Sequence, residues 1–330
     1  MNHCTEKNSN DIVVNMHEYL YCDGLKMRKK NGMIGAIVGD IVGSRFEFNN
    51  HKSKEFDLFV TCKPFDKFTK ETLGIALDSS TYSDDSVMTL AIAKAIMRWS
   101  ECGDTTYGAL SALTVSTMRE FGRMYPLAGY GGTFDLWLHD EKMGQYNSWG
   151  NGSAMRVSAC GWAGRTLDEV KSMSRAVTEV THNHPEGIKG AEATAVATFL
   201  ARTGKTMDEI LEVVVRDYYP LDFTIDEIRP TYKFDVSCQG SVPQALEAFF
   251  ESTSFEDAVR NAISIGGDSD TIGAICGAVA GAYYGVPDDI RAQAETFLPP
   301  HLLETLHDFQ HACCEGVQFR RDGRISDMVR

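Results

Sequence analysis

Apolar residues recur at helical spacing along most of the chain. Met88, Ile92, Ala95 and Ile96 form one such stripe, because residues three and four apart lie on the same face of a helix. Further helices are predicted at residues 153–162, 167–180, 193–200, 242–250 and 258–265. The alternating pattern of a β-strand is nearly absent, and residues 55–61 are its best example. The pattern therefore predicts an all-α domain, a compact arrangement of many helices.

One predicted helix is marked by small residues. Gly273, Gly277 and Gly281 recur every four residues, and an alanine follows each of them. Glycine inside a helix is less favourable than alanine by ~1 kcal/mol, but small residues at this spacing let neighbouring helices approach closely. This helix is therefore predicted to be central to the fold and to carry Asp268 and Asp270 into its middle.

Residues 1–32 differ from the rest and are predicted to form an N-terminal extension. Apolar residues between positions 12 and 20 have near-helical spacing, and a basic run follows at residues 26–30. The extension is either a disordered tail or an arm that orders on binding a partner. Residues 33–330 are predicted to form one domain, because two acidic clusters near residues 85 and 268 are expected to meet in one core.

The composition is ordinary for a globular enzyme, with 43% hydrophobic and 24% charged residues among 330. The net charge of −14 argues against general binding to nucleic acid or to an anionic membrane surface. A small ligand that carries phosphate stays compatible with this charge, because metal ions and backbone amides can neutralise phosphate locally.

The cysteines and the apolar runs indicate where the protein resides. Nine cysteines lack Cys-x-x-Cys spacing, and Cys313 and Cys314 are adjacent, which argues against a disulfide framework and a zinc knuckle. We therefore expect a reduced, cytoplasmic protein. Residues 1–20 lack the apolar core of a signal peptide. The longest apolar run, residues 271–287, is shorter than the about 20 residues of a membrane span.

Two acidic clusters far apart in the chain have the composition of a metal site. The first is Ser-Asp-Asp-Ser at residues 83–86, and the second is Gly-Gly-Asp-Ser-Asp-Thr at residues 266–271. Carboxylates and hydroxyls are the ligands of hard cations such as Mg²⁺, and four carboxylates could hold two ions about 3.5–4 Å apart. The absence of thiolate and imidazole argues against zinc. The alternative is helix capping, since Ser and Asp are favoured at helix N-termini.

Further polar segments carry candidate chemistry. The glycine-rich residues 147–153 precede a predicted helix and could present N–H groups to a phosphate, or they form a plain capped loop. Residues 129–133 are a second glycine turn of the same kind. His182 and His184 could bind metal or transfer protons, or they lie on the surface at a Pro-Glu helix start. Glu47, among aromatic residues, could have a raised pKa suited to proton transfer, or it is a salt-bridged glutamate.

Together these segments resemble the ADP-ribosylglycohydrolase family, which includes the dinitrogenase-reductase-activating glycohydrolases. The resemblance covers about residues 33–290 and rests on five motifs in order. They are Gly-Asp-Ile-Val-Gly-Ser at 39–44 with Glu47, Ser-Asp-Asp-Ser at 83–86, Gly-Asn-Gly-Ser-Ala-Met-Arg at 150–156, Thr-His-Asn-His-Pro at 181–185 and Gly-Asp-Ser-Asp-Thr at 267–271. One of these motifs would be weak evidence, whereas five in order make the resemblance specific.

The resemblance implies an all-α fold around two Mg²⁺ or Mn²⁺ ions, with Asp270 expected to touch both. The implied metal ligands are Ser83, Asp84, Asp85, Asp268, Asp270 and Thr271. The implied contacts to ADP-ribose are Gly131, Ser148, Gly150, Asn151, Gly152, Ser153, Met155 and His182, with the turn at 150–153 at the diphosphate. Glu47 and Asp85 are the catalytic candidates. Glu47 matches an acidic residue that activates water or assists the leaving group in some members, while other members use a different aspartate.

The chain departs from the family pattern in the first acidic cluster. The family usually has Thr-Asp-Asp-Thr where this chain has Ser-Asp-Asp-Ser at residues 83–86. Serine keeps the hydroxyl and loses a methyl group, so coordination is expected to survive. A modest loosening is expected, because serine has more χ1 freedom than threonine.

The expected reaction is metal-dependent hydrolysis of the bond between the anomeric ribose carbon and a protein side chain, through an oxocarbenium-like transition state. The resemblance favours ADP-ribosyl-arginine, and a serine-linked or small-molecule ADP-ribosyl compound is the alternative. Some bacterial members are immunity proteins against ADP-ribosyltransferase toxins, so residues 1–32 could bind such a toxin. A non-catalytic toxin-binding relative and a two-metal hydrolase of the diphosphate are further alternatives. The expected partners are an ADP-ribosylated protein and such a toxin, with no nucleic acid and no membrane.

Overall fold

The structure is a computed structural model, and it describes residues 19–22, 25–28, 33–61 and 79–314. Its helices are α1 Ile34–Gly43, α2 Asp84–Glu101, α3 Tyr107–Met124, α4 Gly132–His139, α5 Gly152–Met155, α6 Ser158–Ala163, α7 Leu167–Thr178, α8 Pro185–Arg202, α9 Met207–Asp217, α10 Ile225–Ile228, α11 Cys238–Phe250, α12 Phe255–Ser264, α13 Ser269–Tyr284, α14 Asp288–Glu295 and α15 Pro300–Cys314. The predicted all-α fold is confirmed. Among the described helices, none is both long and apolar enough to cross a membrane.

The extended segments differ from their sequence patterns. Tyr19–Cys22 (β1) and Leu25–Arg28 (β2) pair antiparallel as a short hairpin, so residues 19 and 20, which continue the near-helical spacing of apolar residues, lie in a strand. Residues 55–61 form no strand. Their alternation has another cause, because Phe56 and Leu58 pack against the core and Arg260 donates to the backbone carbonyls of this segment.

Helices α1 and α13 touch backbone to backbone at the centre of the molecule. Every residue of α1 is buried, as is every residue of α13 from Ser269 to Ala282. A Cβ added to Gly39 would lie 1.9 Å from the carbonyl oxygen of Gly273, and one added to Gly277 would lie 2.2 Å from that of Gly35. The predicted central position of the glycine-rich helix is therefore confirmed, and its partner is a second glycine-bearing helix. This packing brings the end of α1 to the start of α13.

The helix predicted at residues 153–162 is two short helices, α5 and α6, and the single-helix prediction is wrong there. The helical conformation is interrupted at Arg156, whose side chain is fully buried and donates a hydrogen bond to Thr181 Oγ1 (2.8 Å). The other helices begin where the sequence supplies a cap. Thr206 and Glu209 at the start of α9, for example, form a reciprocal capping box.

Candidate metal centre and ligand pocket

A cavity of about 600 Å³ opens where the N-termini of α2, α5 and α13 converge. It is lined by both acidic clusters and by both glycine turns. The predicted site residues that line it are Glu47, Asp84, Asp85, Gly131, Ser148, Gly150, Asn151, Gly152, Met155, His182, Asp268, Asp270 and Thr271. Ser83 and Ser153 lie behind this wall. Ser153 is fully buried, and its hydroxyl donates to the carbonyl oxygen of Gly187 (2.8 Å).

The packing of α1 on α13 brings five carboxylates together. Oxygens of Asp40, Asp85 and Asp270 lie within 4.8 Å of one another, and so do oxygens of Glu47, Asp268 and Asp270. Asp270 belongs to both groups. Two sets of three carboxylates that have one residue in common are arranged as in a paired cation site. Their ligand atoms are all oxygens, which suits a hard divalent ion.

Asp40 was not among the predicted site residues, although it stands inside the first quoted motif. It is fully buried on α1 and accepts hydrogen bonds from Ser83 N (3.0 Å), Ser83 Oγ (2.7 Å), Ser86 N (3.0 Å) and Ser86 Oγ. Its carboxylate thus holds the start of α2 in place. The sequence contains an indication of this role, because Asp40 is the one charged residue in the apolar segment 34–43. A buried aspartate needs hydrogen-bonding partners.

The capping alternative is correct for the first acidic cluster and does not explain the second. Ser83 is the N-cap of α2, and its hydroxyl accepts a hydrogen bond from Asp85 N (3.2 Å). Asp268 stands at the N-cap of α13 but makes no side-chain capping bond. Its Oδ2 instead accepts from Asn151 Nδ2 (2.6 Å). The second cluster is therefore held by a contact with the glycine turn and not by helix capping.

Among the described residues, no cationic side chain forms an ion pair with these acidic groups. Burial, followed by neighbouring carboxylates, raises the pKa of Asp84 to about 8 and also raises the pKa values of Asp85 and Asp270 well above the ordinary range. Asp85 Oδ1 is buried and has no hydrogen-bond partner among the described residues. A bound cation would satisfy this oxygen and remove the repulsion. These residues therefore fit a divalent metal ion.

Glu47 lies in the turn after α1 and is held beside the second cluster. Lys52 donates to the carbonyl oxygens of Tyr232 (2.7 Å) and Ile265, which ties this segment to the residues before α13. Gly266 has a positive φ of 68°, and a Cβ there would meet Asn50 Oδ1 at 2.5 Å. Burial, then Asp268 and Asp40, raise the pKa of Glu47 to about 7. The raised pKa follows the sequence expectation, with neighbouring carboxylates as a contributing cause.

The glycine turn at residues 150–152 forms part of the cavity wall next to the second acidic cluster. Asn151 ties it down, because its N–H donates to the carbonyl of Val236 (2.7 Å) and its side chain donates to Ser241 and Asp268. The imidazole of His182 covers the turn, since a Cβ on Gly150 or on Gly152 would lie 3.5 Å from His182 Nε2. The turn therefore leaves glycine backbone and an imidazole facing the cavity.

The two histidines have separate positions. His184 caps α8, because its Nδ1 accepts from Glu186 N (3.1 Å), and Pro185 is the first helical residue. The helix-start interpretation is thus right for His184. It is wrong for His182, which is 5% exposed and lines the cavity. Burial, followed by the charge of Arg156, holds the pKa of His182 well below its usual range. Among the described residues neither histidine joins a metal-binding group.

Comparison with known proteins gives one consistent family. A family model described as ADP-ribosylglycohydrolase matches residues 23–321. The chain is 26% identical over 298 residues to ADP-ribosylarginine hydrolase Tri1 of Pseudomonas putida (strain GB-1), covering 86% of this chain and 75% of that protein. It is 25% identical over 333 residues to ADP-ribosylhydrolase ARH3 of Xenopus tropicalis, covering 82% of this chain and 91% of that protein.

A solved structure has the same fold. It is described as an ADP-ribosylglycohydrolase-related protein complex, and it superposes with a TM-score of 0.59 at 21% sequence identity. The superposition covers 87% of this chain and 97% of that chain. At this identity the similarity concerns the fold.

Proposed function

The chain belongs to the ADP-ribosylglycohydrolase family, and from this premise we propose that it removes ADP-ribose from modified protein side chains, with arginine as the preferred linkage. The observation that carries the proposal is the lining of one cavity. Carboxylates that fit divalent cations line it together with the glycine turn and His182. A ribose beside the carboxylates and a diphosphate at the turn would match these two environments.

The cations of this proposal are two Mg²⁺ ions, with Mn²⁺ as the alternative. Asp84, Asp85, Asp268, Asp270 and Thr271 would hold them from the cavity wall, and Ser83 would join through its hydroxyl, which now lies 3.1 Å from Asp85 Oδ2. When bound, such ions orient ribose hydroxyls and lower the pKa of a water molecule. Thr271 Oγ1 donates to Asp85 Oδ2 (3.2 Å) and thereby links the two clusters.

Glu47 is the proposed proton-transfer group. A carboxyl whose pKa is about 7 is partly protonated at neutral pH, so it can give a proton to a leaving group or take one from water. It lines the cavity, and its carboxylate lies within 4.8 Å of oxygens of Asp268 and Asp270, which supports a role close to the scissile bond. Asp85 is the second catalytic candidate. It lies in the set of carboxylates with Asp40 and Asp270, and its Oδ1 is buried without a hydrogen-bond partner among the described residues.

The mouth of the cavity supports a protein substrate. Phe48 is 78% exposed and stacks on Phe234, which is 49% exposed, with ring centroids 6.1 Å apart. Phe234, Trp149 and Val236 line the cavity and are also exposed. Exposed apolar residues concentrated at a cavity mouth mark an interaction surface. Since Phe48 follows Glu47 directly, the polypeptide that carries the ADP-ribose would cross this rim.

A panel of modified substrates tests the proposal. We expect Mg²⁺-dependent release of free ADP-ribose from an arginine-modified protein, and slower or no release from a serine-modified protein or from small ADP-ribosyl compounds. Preference for a serine linkage would overturn the assignment of arginine as the linkage, while the assignment as an ADP-ribosyl hydrolase would stand. Formation of AMP and ribose phosphate would identify a diphosphate hydrolase instead. No release from any substrate, with retained binding of ADP-ribose, would identify a non-catalytic relative.

The immunity role rests on the N-terminal extension. We propose that residues 1–32 bind an ADP-ribosyltransferase toxin in the cytoplasm, because their mixture of apolar and basic residues differs from the acidic domain. Deletion of residues 1–32 should then abolish toxin binding and leave hydrolysis of modified arginine intact. Unchanged toxin affinity after this deletion would contradict the role.

A further inference from the structure

Arg156 is a buried charge without a counter-ion. Its side chain is 1% exposed and lines the cavity, yet among the described residues no carboxylate oxygen lies within 4.0 Å of its nitrogens. Its Nε is buried and has no hydrogen-bond partner in the part of the chain that the structure describes, and its guanidinium lies 5.7 Å from the centre of the Phe134 ring. Burial lowers the pKa of Arg156 to about 10, so the group stays charged at neutral pH. A buried charge is costly unless something compensates it.

The hydrogen bonds of Arg156 lead to the cavity through Thr181. Arg156 Nη2 donates to Thr181 Oγ1 (2.8 Å), and the same oxygen lies 2.8 Å from His182 Nδ1. A guanidinium can only donate, so the single hydroxyl hydrogen of Thr181 is left free for Nδ1. If Nδ1 accepts it, a neutral imidazole must carry its hydrogen on Nε2. His182 Nε2 lies close to the glycine turn, because a Cβ added to Gly150 or to Gly152 would be 3.5 Å from it.

Two other contacts hold Thr181 in this position. Its carbonyl oxygen accepts hydrogen bonds from the backbone N–H groups of Tyr146 and Ser148 (3.4 Å each), so the loop before the glycine turn is tied to the same residue. Thr181 itself is fully buried. The Thr181 hydroxyl is therefore held where it accepts a hydrogen bond from Arg156 and can donate one to His182.

We infer that Arg156, Thr181 and His182 form a relay that presents a neutral Nε2–H donor to an anionic group of the ligand at the Gly150–Gly152 turn. Arg156 adds a fixed positive charge behind that donor, whereas the two acidic clusters supply negative charge elsewhere in the cavity lining. The cavity would therefore be polarised and would orient a ligand with phosphate at one end. Arg156 and Thr181 are positioning residues in this scheme. The identity of the ligand as ADP-ribose rests on the proposed function, whereas the relay itself does not.

Binding of ADP-ribose to Thr181→Val tests the relay, measured by calorimetry with the full-length protein in Mg²⁺. Valine keeps the shape and removes the hydroxyl, so we expect the dissociation constant to rise about tenfold or more. Thr181→Ser should restore binding to within about twofold. Thr178→Val is the matched control, because Thr178 is equally buried and its hydroxyl has no hydrogen-bond partner among the residues described. Native-like affinity in Thr181→Val would overturn the inference.

The protonation of His182 gives a second readout that needs no variant to fold. In protein labelled with ¹⁵N-histidine, two-bond ¹H–¹⁵N spectra distinguish the two neutral forms of each imidazole. We expect hydrogen on Nε2 and a bare Nδ1 for His182 in the native protein, and a mixture in Arg156→Met, with exposed His139 as the internal reference. Hydrogen on Nδ1 in the native protein would overturn the relay. Failure of the native protein to bind ADP-ribose would count against the proposed function and leave the spectrum to decide the relay.

Discussion

Gly39 and Gly273 face each other where α1 crosses α13, and a Cβ added to either would lie within 2.5 Å of the other's carbonyl oxygen. The obstacle is backbone on both sides, which a rotamer change cannot relieve. We therefore expect Gly39→Ala to lower the free energy of unfolding by about 3 kcal/mol or more. Gly108→Ala, in the first turn of α3, is the matched control, because the nearest atom to its added Cβ is 3.8 Å away. Equal denaturation midpoints for the two variants would contradict the close packing.

Without metal, the protein should lose stability as pH rises. The pKa values of Glu47 and Asp84 are raised in the fold to about 7 and about 8, above their ordinary values near 4 in an unfolded chain. The fold thus favours the protonated forms, and their contribution to stability is complete below about pH 4 and lost by about pH 8. We expect Tm in EDTA to fall by roughly 5 °C between pH 5 and pH 8.

Two comparisons check the origin of that pH dependence. Asp84→Asn should flatten the curve in EDTA, because it removes one of the groups that titrate. Millimolar Mg²⁺ should raise Tm most at the higher pH, where the carboxylates are ionised and bind the cation. A Tm in EDTA that increases from pH 5 to pH 8 would contradict the assignment.

Asp270→Asn should separate stability from activity. Asp270 belongs to both carboxylate groups, so its loss should lower hydrolysis about 100-fold or more and abolish the Mg²⁺-dependent increase in Tm. In EDTA the variant should be more stable than the native protein, because one repelling buried carboxylate is gone. Asp308→Asn, an exposed position on α15, should change none of these values. Native-like hydrolysis by Asp270→Asn would rule out the metal centre.

Glu47→Gln should impair chemistry and spare binding. The amide keeps the shape but cannot transfer a proton, so kcat should fall about 100-fold or more, with the affinity for ADP-ribose within about twofold. The native pH profile should show a limb from the titration of Glu47, whose pKa burial raises, and the variant should lack that limb. Glu55→Gln, an exposed glutamate in the same segment, is the control. If kcat of Glu47→Gln stayed within a few-fold, another group would have to move the proton.

Phe48→Ala and Phe234→Ala should weaken recognition of the modified protein. Both rings are exposed and stack on each other beside Glu47, so their loss should leave stability unchanged. We expect KM for an ADP-ribosylated protein to rise about tenfold with kcat nearly constant, since such contacts act in binding. Val215→Ala removes an exposed apolar residue on α9, away from the cavity lining, and serves as control. An unchanged KM in both phenylalanine variants would show that the rim does not contact the substrate.

Local patterns predicted much of this molecule because they report local physics. Helical periodicity reflects which face of each segment is buried, so it predicted the all-α fold and the central glycine-rich helix α13. Ligand chemistry is also local, since a run of carboxylates and hydroxyls indicates a hard cation wherever it lies. The five motifs then identified the family, and the predicted site residues line one cavity with the exceptions of Ser83 and Ser153.

Tertiary structure decided what depends on contacts between distant segments. Helix α13 packs on α1, which lies more than 200 residues earlier in the chain. Asp40 on α1 likewise accepts hydrogen bonds from the start of α2. Arg156 contacts His182 through Thr181, although a stretch of 24 residues separates Arg156 from Thr181. No periodicity encodes such pairs. The raised pKa of Glu47 is partly of this kind, because Asp40 and Asp268 contribute to it only once α1 packs on α13. The residue types were therefore set by the sequence, while their protonation and partners were set by burial and proximity in the fold.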